Sequence, residues 1–346
     1  MTGGSVLKIA VLMGGVSGER EVSLGSGVQV ARALKEAGHD ALSVDTSRGV
    51  LSQAEEASIL ESGLGFPGPG REQLDMLVTG DLSLFSREPR LEGIDLVFPA
   101  LHGGRGEDGT LQALLEITGI PYVGSDMVGC ALSMDKDLAK RLLRAAGVPT
   151  PDWITVVGEM EGNEALPEVI QRLGLPVIVK PPSGGSTLGL TLAHDETELV
   201  EGLHLSLTFE ERVMFESYVQ GRELTVPVVG AEALVVGEII PEHELFDYEC
   251  KYQPGMAQEI FPADISPGLA ASLRVQALLT HETLRLRDLS RVDFIVDGSG
   301  RHWCLEANSL PGMTSNSLVP KSARASGISF PELCDRLARM ALDRER

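Results

Sequence analysis

Short apolar runs bounded by turn residues mark buried strands, and apolar positions recurring every three or four residues mark helices. VLKIAVLM (6–13) is such a run, followed by a glycine turn and a helical pattern over 23–37 that Gly38 stops. ALSVD (41–45) and IDLVFPAL (94–101) predict two further strands, and TLQALLEIT (110–118) a helix. Strands alternating with helices predict βαβ units on a parallel sheet. Between them, 46–92 is weakly patterned, and GLGFPGPG (63–70) predicts a loop by its Gly and Pro content.

The rest of the chain changes character. A helix is predicted over 134–146, ending at Gly147, and the breaker-rich VPTPDW connects it onward. LPVIVK (175–180) predicts a strand feeding the glycine-rich turn PPSGGSTLG (181–189). RVMFESYV (212–219), ELTVPVV (223–229) and ALVVGEII (233–240) follow so closely that antiparallel pairing is expected among them. After a helix over 268–286, RVDFIVD (291–297) and HWCLEAN (302–308) predict a hairpin around Gly298, Ser299 and Gly300. The fold class is α/β: a parallel unit followed by antiparallel α+β material.

Composition narrows the partners. The 346 residues suffice for two or three domains, and 43% hydrophobic with 23% charged residues is an ordinary soluble profile. Fifty acidic against 29 basic residues give −21, a surface that repels nucleic-acid backbones and anionic lipid. Neither nucleic acid nor a membrane is therefore expected as a partner. Cys130, Cys250, Cys304 and Cys334 form no C-x-x-C pair and predict reduced thiols in the cytoplasm. No uncharged run exceeds 14 residues, too short to span a bilayer.

Common nucleotide and hydrolase signatures fail: there is no Gly-Lys dipeptide, the first turn, Gly14-Gly15-Val16-Ser17-Gly18, misses the G-x-G-x-x-G spacing, and there is no H-E-x-x-H and no G-x-S-x-G. Other segments carry chemistry. GGVSGEREVS (14–23) and HGGRGEDG (102–109) lie where a strand turns toward a helix, the position at which parallel sheets gather ligands. The second offers open backbone N–H groups beside His102, Glu107 and Asp108. Lys180 precedes a glycine-hydroxyl loop suited to folding over phosphates as a lid. Asp293, Glu306 and Asn308 alternate along two strands as hard oxygen ligands suited to Mg²⁺, with Arg291 on the same face.

Taken in order, GGVSGEREVS, LHGGRGEDGTLQ, ALSMDK, VIVKP with GGSTLG, DYECKY, RVDF and LEANSLPGMTSNSL make the chain resemble the D-alanine–D-alanine ligases of the ATP-grasp superfamily, over about residues 8 to 340. The resemblance implies three domains: an N-terminal parallel α/β substrate domain (1–124), a central lid domain (125–215) and a C-terminal metal and catalytic domain (216–346). ATP would lie between two antiparallel sheets. Lys136, Lys180 and Lys251 would meet its phosphates, Glu216, Tyr218 and Val219 its adenine, and Glu223 its ribose. Asp293, Glu306 and Asn308 would hold two Mg²⁺, with Mn²⁺ as a substitute. Glu21 would bind the first D-alanine ammonium with His102 nearby, and Ser317 and Leu318 the second carboxylate. Arg291 and the Gly312 N–H would stabilise the oxyanion, while Glu21, Ser186 and Tyr252 would tie the lid shut.

The activity so implied is ATP-dependent joining of two D-alanines through an acyl phosphate, for bacterial peptidoglycan precursors, by a cytoplasmic homodimer. Tyr252 goes in this family with an amine as second substrate. An ATP-grasp ligase or carboxylase with another acceptor would share Lys180 and the metal set, and an ATP-binding module without turnover would share the fold.

Overall fold

The computed structural model describes residues 5–15, 19–62, 91–185, 187–245, 250, 253 and 255–344. Three sheets organise these residues, and each grows from the patterns above.

The first sheet runs β3–β2–β1–β4, built from β1 (Lys8–Met13), β2 (Asp40–Asp45), β3 (Gly49–Val50) and β4 (Leu96–Pro99). β1 lies parallel to both β2 and β4, as strand–helix alternation requires, and only the short β3 is antiparallel. Helix α1 (Arg20–Glu36) makes the first crossover and buries Val28, Val30 and Leu34 against Ile9, Val11 and Met13. In the weakly patterned stretch, α2 (Gln53–Ser62) is a helix; the loop predicted at 63–70 lies outside the described residues. Helix α3 spans Thr110–Thr118, as its periodicity predicts, and ends at Gly119, whose φ of 69° closes the turn.

The helix predicted over 134–146 forms, starting two residues later, and a separate helix precedes it. α4 (Met127–Met134) stops at Asp135, which takes an extended ψ of 99° and caps α5 (Lys136–Ala145) by accepting from the Leu138 N–H at 3.0 Å. An Asp that can satisfy an orphan helix donor competes with helix continuation at that point.

The second sheet, β5–β8–β6–β7, is antiparallel throughout and comprises β5 (Trp153–Val157), β6 (Val177–Lys180), β7 (Thr191–Ala193) and β8 (Arg212–Ser217). Its cover is α6 (Gly158–Leu173) and α7 (Glu196–Leu207). A Cβ at Gly162 would come within 2.6 Å of Leu203, so glycine is what lets these helices approach. The third sheet is β12–β11–β9–β13–β14, with β10 on β9. It contains β9 (Arg222–Val229), β10 (Glu232–Ala233), β11 (Gly237–Pro241), β12 (Ala257–Ile260), β13 (Leu289–Val296) and β14 (His302–Asn308), all antiparallel. Helix α8 (Pro267–Thr283) packs beneath it.

The expected pairing of 212–219 with 223–229 is not what forms. β8 pairs with β5 and β6, whereas β9 pairs with β10, β11 and β13, so the link from Tyr218 to Gly221 crosses from one sheet to the other. Close spacing makes a hairpin only when the turn reverses the chain within one sheet. The last helices, α9 (Leu318–Ala325) and α10 (Phe330–Asp343), return to the first core, where Val319, Leu333 and Leu337 pack with the β1–α1 layer. No helix among the described residues is long and apolar enough to cross a membrane.

Candidate active site

Two cavities meet along a common wall. One, of about 380 Å³, opens between the second and third sheets, with Lys180 and Glu216 on one side and Glu223, Ile239, Asp293 and Ile295 on the other. Tyr218 and Val219, on the link between sheets, line it as well. The other, of about 520 Å³, runs from the first sheet to α9 and is lined by Glu19, His102, Asn308, Gly312, Ser317 and Leu318 among others. Lys136, Gly184, Arg291 and Glu306 face both.

The hairpin β13–β14 supplies that wall. Its register sets Arg291 opposite Asn308 and Asp293 opposite Glu306, with an irregularity just after Asp293. Arg291 donates to Asp293 through Nε (3.0 Å to Oδ1) and Nη2 (2.8 Å to Oδ2). Thr225 on β9 donates to the same carboxylate at 2.7 Å, and the Asn308 Nδ2 at 3.0 Å. Burial works against charge on Arg291, yet Asp293, Glu306 and Glu223 outweigh it and hold the guanidinium more firmly protonated than usual. Glu306 lies 3.3 Å from Lys136 Nζ. Two carboxylates and an amide carbonyl are hard oxygens that fit Mg²⁺, which would complete its shell with phosphate oxygens and water. Among the described residues no three His, Cys, Asp or Glu side chains converge, so a cation here would need such outside ligands.

On the wall of the inter-sheet cavity, Glu216 is largely buried and accepts from Lys180 Nζ at 2.7 Å and from Lys140 Nζ at 2.5 Å. Burial alone would raise this carboxyl, but the two ammonium groups prevail and hold it at about 2. The loop after β6 lies over the start of α5: Lys136 N–H donates to the Pro182 carbonyl at 2.9 Å and its Nζ to the Gly184 carbonyl at 2.7 Å. Arg212 fastens the base of this loop, donating to Asp135 (2.8 Å), Glu210 (2.8 Å) and Ser183 Oγ (2.9 Å).

At the other end, Gly14 turns with φ 82°, and any Cβ there would sit 2.5 Å from Arg20 and 2.7 Å from Asp45, which pair against it. Ser23 ties the two substrate-side loops together, accepting from Gly14 N–H (2.9 Å) and donating to the Ala100 carbonyl (2.7 Å). His102 contacts Ser26 Oγ at 3.1 Å and lies 3.7 Å from Glu107. Burial disfavours its charge, but the Glu107 hydrogen bond and the Glu107 and Glu19 charges more than offset this and raise its pKa. Ser317 begins α9, and its hydroxyl lies 2.8 Å from Thr314 Oγ1.

One placement corrects the sequence reading. Glu21 is exposed and lines neither cavity; the carboxylate on the wall is Glu19. Two positions along a helix turn a side chain by about 200°, to the opposite side. A Cβ on Gly185 would lie 3.7 Å from Glu19 Oε2, so this carboxylate also adjoins the glycine loop. Ser186, Lys251 and Tyr252 lie outside the described residues, although Gly185, Thr187, Cys250 and Gln253 beside them line the cavities. Every other site residue expected from the sequence lines one cavity or both. Three residues went unanticipated: Lys140, and Lys321 with Glu259, which form an ion pair on the wall of the larger cavity. A lysine set among Ala139 and Leu143 on the buried side of α5 was the available signal for the first.

Sequence profiles described as D-ala D-ala ligase N-terminus and D-ala D-ala ligase C-terminus match residues 8–125 and 142–339. The D-alanine–D-alanine ligase of Desulfotalea psychrophila is 40% identical over 98% of this chain and 96% of its own. Among solved structures, the D-alanine–D-alanine ligase from Bacillus anthracis complexed with ATP superposes with a TM-score of 0.76 at 30% identity, covering 98% of each chain. The VanG D-Ala:D-Ser ligase from Enterococcus faecalis gives 0.79 at 28%, over 97% of this chain and 100% of that one.

Proposed function

The chain belongs to the D-alanine–D-alanine ligase family of the ATP-grasp superfamily, and we infer from its two joined cavities how it carries out that reaction. It is an ATP-dependent ligase that joins two molecules of D-alanine. A carboxylate is a poor acyl donor, so its oxygen first attacks the terminal phosphate of ATP and releases ADP. The amine of a second D-alanine then attacks the acyl phosphate carbon, and phosphate leaves with the oxygen that had bridged the two. The protein's task is to bring three reactants together and to stabilise the charge that develops.

The observation that carries the division of labour is the shared wall, where Lys136, Arg291 and Glu306 face both cavities. The inter-sheet cavity takes ATP, with Glu216 and the Tyr218–Val219 link at the adenine and Glu223 at the ribose. Lys136 and Lys180 meet the phosphates. Asp293, Glu306 and Asn308 would hold Mg²⁺, which would neutralise phosphate charge there. In the larger cavity Glu19, rather than Glu21, receives the first ammonium with His102 nearby. Ser317 and the Leu318 N–H, at the positive end of α9, receive the second carboxylate. Arg291 and the Gly312 N–H serve the oxyanion between them. Ser186, Lys251 and Tyr252 keep the roles the resemblance implies. Homodimeric assembly and a cytoplasmic location rest on that resemblance too; sedimentation equilibrium at working concentration decides the first.

A substrate panel tests the reading. Phosphate release and product mass are followed with ATP and D-alanine, L-alanine, D-lactate or D-serine. D-alanine alone should support rapid release and yield its dipeptide. Faster turnover of a D-alanine–D-serine pair, or release without ligation, would contradict it.

A further inference from the structure

We propose that Lys140 is the positioning residue that keeps the Glu216 carboxylate turned to the nucleotide base and so sets the preference for adenine over guanine; this rests on the reading of Glu216 as the adenine contact. A carboxylate can only accept hydrogen bonds. It therefore favours the exocyclic amine of adenine and opposes the carbonyl oxygen that guanine presents at the same place. That discrimination works only while Glu216 stays ionised and in one orientation.

Two lysines share this one carboxylate, and they differ in access. Lys180 lines the inter-sheet cavity, where an arriving nucleotide competes for it. The Lys140 side chain is 1% exposed and lines neither cavity. Its ammonium is held from three sides: by Glu216 Oε2 at 2.5 Å, by Thr150 Oγ1 at 2.6 Å, and by the Trp153 ring, whose centroid is 5.1 Å away. When Lys180 turns to a phosphate, Lys140 is the cation that stays with Glu216.

Stability is a poor account of such a pair. Removing two charges from water costs about what their attraction returns, so apolar side chains of like volume would hold the fold as well. The helix adds a geometric reason. Lys136 and Lys140 are one turn apart on α5, about 6 Å along its axis. The first points to Glu306 on the metal hairpin and the second to Glu216. One rigid helix thereby spaces the phosphate end of the cavity from its base end.

The test is calorimetric titration of ATP and of GTP, each with Mg²⁺, into the full-length wild type, Lys140→Met, Glu216→Gln and the double variant, together with kcat and KM for ATP. Glu216→Gln should narrow the ATP-over-GTP preference, which establishes the base contact. Lys140→Met should weaken ATP by about tenfold, the order expected for a displaced charged hydrogen bond, and GTP little. Its kcat at saturating ATP should stay within about twofold, a split that general loosening would not produce. The double variant should be no less selective than Glu216→Gln alone. If Lys140→Met does not fold, the double variant leaves no buried ion unpaired and still decides, since further narrowing there overturns the proposal. A preference kept in Lys140→Met but narrowed in Glu216→Gln overturns it while sparing the base reading. A preference kept in both removes the base reading and the proposal with it.

Discussion

Arg291 stands where the two cavities meet, its guanidinium forked onto Asp293 and held charged by the carboxylates around it. Lysine would keep the charge but lose the planar fork and some reach. If Arg291 serves the oxyanion, Arg291→Lys should lower kcat by about 10²–10³ with a smaller effect on KM, because a donor felt only in the transition state belongs in kcat. A kcat within about threefold of wild type at an unchanged melting temperature would leave Arg291 as no more than a brace for Asp293, since that is under ~0.7 kcal/mol. The carboxylates at the start of α1 allow a cleaner comparison. Glu19→Gln should raise KM for the tighter-binding D-alanine by about tenfold or more, as loss of a charged hydrogen bond implies. Glu21→Gln, on an exposed side chain, should change it little. The reverse order would return the ammonium site to Glu21.

Among the elements, the loop after β6 and the start of α5 act as a unit because Arg212 fastens Asp135, Glu210 and Ser183 together. These ion pairs are part-exposed, so each contributes only about 0–1 kcal/mol to the fold. Arg212→Ala should therefore leave the melting temperature within a few degrees while raising KM for ATP several-fold. A lower melting temperature with unchanged KM would make Arg212 purely structural. What could be read from the sequence follows the same local logic. The β13–β14 hairpin was legible because Gly298 to Gly300 punctuate two alternating strands, and that alternation put Arg291, Asp293, Glu306 and Asn308 in register. α6 was not, because its two glycines and Pro167 read as breakers, whereas tertiary packing uses Gly162 for a close helix approach. The β8–β9 link escaped because spacing shows that a chain turns, not which sheet it joins. Glu19 and Glu21 flank Arg20 in one short charged run, and only the folded turn into α1 separates the one that faces the cavity from the one that faces out.

At the scale of the molecule, the segments that follow the strands of the first sheet, the start of α9 and the two antiparallel sheets enclose one continuous reaction space rather than separate binding sites. The last helices pack into the first core, so the loop carrying Gly312 and the start of α9 are held against the substrate end. Ser315 N–H donates to Gln29 on α1 at 2.8 Å, a direct tie between those parts. Such a space suits an intermediate that must pass from ATP to a second amine without meeting water. The account stands or falls on that intermediate. D-alanine labelled with ¹⁸O in its carboxylate, turned over with unlabelled ATP in unlabelled water, tests it directly. Each phosphate released should carry one ¹⁸O, the oxygen that bridged carbon and phosphorus. Phosphate free of ¹⁸O alongside dipeptide formation would contradict the acyl phosphate route.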